Sequence, residues 1–289
     1  MHAQNTINAL LSQLNTVMEG KPDQVRDGVA CLLAGGHLLI EDVPGVGKTT
    51  LAHALAHSFG LQFSIYDRGR EAFVFHRGPV FAQVLLADEI NRASPKTQSA
   101  LLEAMEERQV TTEGKTHSLP APFFVIATQN PLDQLGTFPL PESQLDRFLM
   151  RISLGYPSRD AERRLLTGNG RRSAADALQP VINQEQLQQL QTAALAVHVS
   201  DALLNYVQDL IAATRNGQWF AQGLSPRAGI ALLRAAKTIA LMEGRDYVAP
   251  DDVQAILPQV IAHRLVPVGH AGRGAVEQVR AMMQAVPLS

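Results

Sequence analysis

The residues best placed to do chemistry form the run Val43-Pro44-Gly45-Val46-Gly47-Lys48-Thr49-Thr50. It lies behind the apolar stretch His37–Ile40 and ahead of the helical pattern Leu51, Leu55, Phe59. A tight glycine-bearing loop between a strand and a helix points backbone N–H groups and the positive end of the helix at phosphate oxygens. Gly45 and Gly47 let the backbone approach closely. Lys48 adds a point charge for the β- and γ-phosphates, and Thr49 offers a hydroxyl to Mg2+. The strict G-x-x-x-x-G-K-T form opens on glycine, and Asp42 stands there instead. The plainer alternative is a glycine-rich turn before an ordinary helix, and the strand in front of the loop argues against it.

Further along, the buried-type strand Val84–Ala87 ends on Asp88-Glu89. Two acids at a strand end are commonplace. Behind a phosphate loop they read as the pair in which Asp88 holds Mg2+, partly through water, and Glu89 takes a proton from an attacking water. Phe123–Thr128 runs into Gln129-Asn130-Pro131. The Asn130 amide could orient water against a γ-phosphate, although Asn-Pro by itself is only a turn signal.

Arg147, in Asp146-Arg147-Phe148, sits where a neighbouring subunit could be reached, and arginine stabilises charge on a phosphoryl group in transfer. A surface ion pair with Asp146 or Glu142 is the competing reading, and the residues taken alone favour it. Ser225-Pro226-Arg227 opens a helix with arginine in its first turn, where positive charge opposes the dipole unless an anion is near. His53 and His57 share a helix face, but position 54 is Ala and no third ligand is evident, so a packed or solvated pair is favoured over metal.

The elements that must hold these groups alternate in the first half of the chain. Helical patterns at Gln4–Val17, Asp27–Ala34 and Lys96–Glu107, the last capped by Ser94 with Pro95 behind it, separate short apolar strands ending with Met150–Leu154. That alternation predicts a mostly parallel sheet with helices on both faces. After Gly155-Tyr156-Pro157 the readable patterns are helical: Ala161–Leu166, Glu185–Val197, Ala202–Thr214, Pro226–Glu243 and Pro250–His263, with Asn183 and Gln186 resembling a capping box. The boundary this predicts divides residues 1–155 from residues 156–289.

Composition narrows the function classes. With 25 Lys+Arg against 27 Asp+Glu among 289 residues, the net charge is −2, which argues against a polyanion binder working through bulk charge. Hydrophobic residues, at 46%, suffice for a sizeable core. A single cysteine, Cys31, leaves no internal disulfide. The start lacks a secretory pattern and no run is long enough to span a bilayer, so a reducing, cytoplasmic setting without membrane insertion is expected.

Five stretches together resemble the MoxR-type AAA+ ATPases over nearly the whole chain: His37–Ala52, Leu85–Arg108, Ala127–Pro131, Pro141–Met150 and Leu224–Ala228. The resemblance implies an α/β fold, an αβα nucleotide-binding domain with a smaller all-helical lid. It implies Walker A for Asp42–Thr49, Walker B for Leu85–Glu89, sensor 1 for Asn130, an arginine finger acting in trans for Arg147 and sensor 2 for Arg227. ATP and Mg2+ would be the ligands, bound between subunits of a ring, usually a hexamer. The family's chaperone-like motors often work with a von Willebrand factor A-domain protein, maturing or activating enzymes, including by cofactor insertion. Asp42 is a common variant at its position in the family.

Two hairpins would face the pore or its rim. One is the insertion in helix 2 (residues 64–76), with strands Ser64–Asp67 and Ala72–His76. The other precedes sensor 1 (residues 109–119), with strands Gln109–Thr112 and Lys115–Leu119. Between Phe63 and Ser64, roughly 15–20 residues of the family pattern are absent, the length of one strand plus a helical turn or two. Either this chain lacks the edge strand or a segment is missing from the numbered chain. The second is favoured, because deletion would expose the next strand's edge. Two other function classes compete with a protein-remodelling motor. A DNA-directed ring motor is disfavoured by the near-neutral charge. A nucleotide-gated scaffold with little turnover is disfavoured by the complete motif set.

Overall fold

The computed structural model describes residues 2–66, 79–112, 115–131, 136–166, 175, 177–269 and 274–288. Its main sheet runs β2-β3-β6-β1-β7, with β1 Leu38–Glu41, β2 Phe63–Tyr66, β3 Val84–Ala87, β6 Phe124–Gln129 and β7 Met150–Ile152. Every pairing in it is parallel: Leu38 stands opposite Ile126 and Met150, and Val84 opposite Phe63 and Phe124. A separate antiparallel hairpin joins β4 Gln109–Thr112 to β5 Lys115–Ser118, where the sequence predicts one.

Both faces of the sheet are buried, which is why its strands read as continuous apolar runs. Leu38, Ile40, Phe124 and Ile126 pack toward α1 His2–Val17, α2 Pro22–Leu33 and α3 Lys48–Ser58. Their neighbours Leu39, Val125 and Ala127 turn to the other face, against Leu102, Ala104 and Met105 of α4 Pro95–Glu107. Ser94 caps α4 through its hydroxyl, which accepts from the Thr97 N–H at 3.2 Å, and Pro95 occupies the first turn.

After β7 the described elements are helical: α5 Glu142–Leu145 just precedes that strand, and then come α6 Arg159–Leu166, α7 Gln184–Ala196, α8 Asp201–Arg215, α9 Pro226–Met242, α10 Pro250–Ile261 and α11 Ala275–Ala285. The Asn183/Gln186 capping box at α7 is formed in both directions, at 2.9 Å each way. α11 was not among the helices read from the sequence. One apolar cluster runs from Ile7 and Leu10 of α1 through Leu232 and Ile256 to Val279 and Met282, so the helical half shares its core with one face of the sheet.

Of the hairpin expected at 64–76, the structure describes Ser64–Tyr66, which with Phe63 lies parallel to β3 as the outermost described strand of the main sheet. The Val84 N–H extends the contact by donating to the Gln62 carbonyl at 2.9 Å. An uncovered β3 edge offers a row of backbone partners, and β2 takes them. The edge strand is therefore present, built from these residues, and the exposed-edge reason for invoking a missing segment falls away. Asp67 and the second strand expected at 72–76 lie outside the described residues.

Candidate nucleotide site

Parallel α/β sheets bind ligands beyond the carboxyl ends of their strands. The strand order β3-β6-β1 sets three of the sequence-predicted groups side by side there: Asp88-Glu89 after β3, Asn130 after β6, and the loop 42–47 after β1. Gly45 and Gly47 both adopt positive φ, +80° and +103°, and Gly47 caps α3. Such angles suit glycine and turn the loop's N–H groups toward one point. Lys48 is buried; its Nζ donates to the Asp42 carbonyl at 2.6 Å and the Gln129 carbonyl at 3.3 Å.

Asp42, the departure from the strict motif, is buried and fully engaged. One carboxylate oxygen accepts from the Val43 N–H at 2.8 Å; the other accepts from the Ser153 hydroxyl at 2.8 Å and the Gly155 N–H at 2.6 Å. From the far side, Lys21 Nζ donates to the carbonyls of Gly155 and Tyr156 at 3.2 and 2.7 Å. The loop is thus tied to the segment leading into the helical half.

The acidic pair is held by a residue that sequence reasoning missed. Thr128 is fully buried on β6; its hydroxyl donates to Asp88 Oδ1 at 2.6 Å and accepts from the Glu89 N–H at 2.9 Å. Glu89 has φ +49° and ψ +51°, a left-handed conformation rare for a side chain other than glycine, and its carboxylate pairs with Arg92 at 3.2 Å. Asn91 donates to the Asn130 carbonyl at 3.3 Å, while Gln98 of α4 donates to the carbonyls of Ile90 and Phe138 at 3.0 and 2.9 Å. The sequence shows only a threonine at the end of an apolar strand, which gains meaning once β3 is alongside.

The two arginines lie elsewhere. Arg147 precedes β7, whose first residue pairs with the first residue of β1, whereas the phosphate loop follows the last; a four-residue strand separates those levels by roughly 10 Å. Arg147 pairs with neither Asp146 nor Glu142. Its Nη1 meets Glu106 Oε2 at 2.8 Å, and Arg227 Nη2 meets Glu106 Oε1 at 2.7 Å. Asp146 instead takes Arg264 at 2.9 Å. Both predicted arginines therefore flank a cleft of about 310 Å³ between α4 and α9, whose lining includes no residue of the loop 42–47.

The Thr49 hydroxyl and the exposed Asp88 carboxylate are hard oxygen donors of the kind Mg2+ takes, and they fit that ion. His53 packs on Phe63 with ring centroids 4.1 Å apart and lies 6.2 Å from His57; among the described residues no group of three or more metal-ligating side chains forms. Cys31 is buried, which pushes its thiol pKa up and keeps it protonated.

This geometry defines a P-loop ATPase of the AAA class, and comparison with known proteins agrees. Residues 61–150 match the ATPase family associated with various cellular activities (AAA), and residues 212–284 match the AAA lid domain. The chain belongs to the MoxR family of AAA+ ATPases. It is 40% identical to chaperone MoxR1 of Mycobacterium tuberculosis over 91% of this chain and 76% of that one. It is 44% identical to the uncharacterized protein YeaC of Bacillus subtilis over 89% and 85%. Both alignments run longer than the stretch of this chain they cover, so both relatives hold residues that this chain lacks. A crystal structure from Cytophaga hutchinsonii described as an ATPase superposes with a TM-score of 0.86 at 31% identity, covering 99% of this chain and 96% of that one. Family membership carries ATPase activity and nucleotide binding in general. Among the described residues no helix is long and apolar enough to cross a membrane.

Proposed function

We propose that this protein is a Mg-dependent ATP-hydrolysing ring motor, built from an αβα domain of residues 1–155 and a lid of residues 156–289, that remodels partner proteins in the cytoplasm. The reading is carried by the convergence of Lys48, Asp88, Glu89 and Asn130 at the carboxyl ends of three adjacent strands. A chaperone role is supported by the name of the mycobacterial relative. The partners would be a von Willebrand factor A-domain protein or another client, with cofactor insertion one form the work could take.

In this reading the N–H groups of residues 43–49, with Thr50 behind them in the first turn, cradle the triphosphate. Lys48 exchanges its carbonyl partners for phosphate oxygens. Thr49 and Asp88 hold Mg2+, which when bound offsets charge on the phosphates. Glu89 accepts the proton of the water whose oxygen forms the new bond to the γ-phosphorus, as the bond to the β–γ bridging oxygen breaks and ADP departs with that electron pair. The Asn130 amide orients the water.

Arg147 and Arg227 face away from their own loop, so they serve the site of the next subunit. That requirement favours a closed ring, of six copies in the family pattern. The test is Glu89→Gln: ATP binding should persist while turnover falls at least about 100-fold, the scale of a lost general base. Hydrolysis at the wild-type rate would defeat the assignment.

A further inference from the structure

Glu106 lies near the carboxyl end of α4 and spends both carboxylate oxygens on different arginines, Oε2 on Arg147 and Oε1 on Arg227. The two guanidiniums come from distant parts of the chain, one from the turn before β7 and one from the first turn of α9. Side by side without an acid between them they would repel. The other charges lining the cleft sharpen the point. Arg108, Arg234 and Arg264 add positive charge, and Asp146, which also attracts Arg227, already takes Arg264. Arg147 Nη1 has a further partner on the same helix, the Leu102 carbonyl. The hydrogen bond from Arg227, and then the charge of Arg147, hold the Glu106 carboxyl below the usual carboxylate range.

The opposite end of α4 is tied to the hydrolytic edge. Gln98 holds Ile90, next to Glu89, and Phe138; Asn91 holds Asn130. From Gln98 to Glu106 the helix spans roughly 12 Å, without a glycine or proline between them. One rigid element therefore touches both the residues around this subunit's own acidic pair and the arginine pair.

We propose that Glu106 is a positioning residue for ATP hydrolysis, gathering Arg147 and Arg227 into one clamp for the triphosphate bound by the adjacent subunit. The inference rests on the ring-motor reading above. Glu106 touches no nucleotide; it acts through the arginines, and on a neighbour's site, not its own.

That distinction sets the experiment. Glu106→Gln keeps the shape and removes the charge. Its ATP binding should match wild type, while kcat falls about 10- to 100-fold, the cost of misplacing a group by an ångström or so. Glu106→Gln is then co-expressed with Glu89→Gln, whose arginines are intact. If Glu106 works in trans, mixed rings regain activity that neither variant has alone. The ceiling is about one quarter of wild type, the share of interfaces in a random equal mixture that pair an intact site with an intact clamp. Arg147→Ala with Glu89→Gln is the control. Recovery in the control without recovery for Glu106→Gln overturns the proposal. So does unchanged kcat in Glu106→Gln, or lost ATP binding, which would make the residue structural. No recovery in the control overturns the ring reading and this inference with it.

Discussion

The Asp42 carboxylate accepts the Ser153 hydroxyl at 2.8 Å, joining the first residue of the phosphate loop to the strand exit that leads into the helical half. A glycine at position 42 would leave the donors of Val43, Ser153 and Gly155 without this acceptor. The charge is thus part of the loop's scaffold. Movement of the segment at Gly155 is mechanically linked to the loop, and Lys21 grips the same segment from its other side.

Asp42→Gly, which restores the strict motif, should therefore harm the protein. Stranding partly buried donors costs about 1–3 kcal/mol. Chemical denaturation should register that loss, and ATP affinity should fall with it. An Asp42→Gly variant as stable as wild type would show that the tether contributes nothing.

Thr128 gives a prediction with an internal control. Thr128→Val removes a hydroxyl that donates to Asp88 and accepts from the Glu89 N–H, at nearly constant volume. Stability should drop by about 1–3 kcal/mol, and turnover should fall more than ATP binding, because the acidic pair loses its anchor. Thr128→Ser, which keeps the hydroxyl, should recover most of both. Steady-state kinetics of the two variants side by side decides it.

Buried titratable groups give the stability curve two opposed contributions. Burial lowers the His37 pKa to about 4; the ring is neutral, with Nδ1 accepting from the Val125 N–H at 2.9 Å. The unfolded chain takes up that proton near its ordinary value of 6.5, so the stability contributed by neutral His37 is full above 6.5 and is lost as pH falls toward 4. His263, also buried, acts in the same direction. Asp27 opposes them. Burial raises its pKa to about 6 from 3.8, so its contribution is full below 3.8 and lost as pH rises through 6. Asp27→Asn should keep the hydrogen bond from Gln259 and stabilise the protein at pH 7 by about 2–3 kcal/mol, with little gain below pH 4. Its acid-side loss should be steeper than that of wild type. Equal denaturation midpoints for the two proteins at pH 7 would refute this.

Local signals carried most of the architecture. The Ser94 cap, the proline behind it and the apolar spacing after it fixed α4 closely, and the glycine pattern located the phosphate loop. Two kinds of long-range feature escaped. One is nonlocal pairing: Ser64–Tyr66 reads as strand, and nothing in its composition says that it lies along β3. The other is the identity of partners across the fold. Arg147 stands out in the sequence as a candidate, but Glu106, on another element, is not legible there as the acid that meets it. Thr128 shows the same blindness, since a threonine ending an apolar run becomes informative only once β3 is known to lie beside it. α11 escaped for a different reason: Val276, Val279 and Met282 carry helical spacing, but over a short stretch set off by Gly274.

The outer strand Phe63–Tyr66 also fixes where the next stretch of chain departs. Tyr66 stands opposite Ala87, one residue before Asp88, so the chain leaves this strand at the same edge of the sheet as the acidic pair. Whatever follows Tyr66 sets out from the carboxyl edge, where the loop 42–47 and Asn130 also lie.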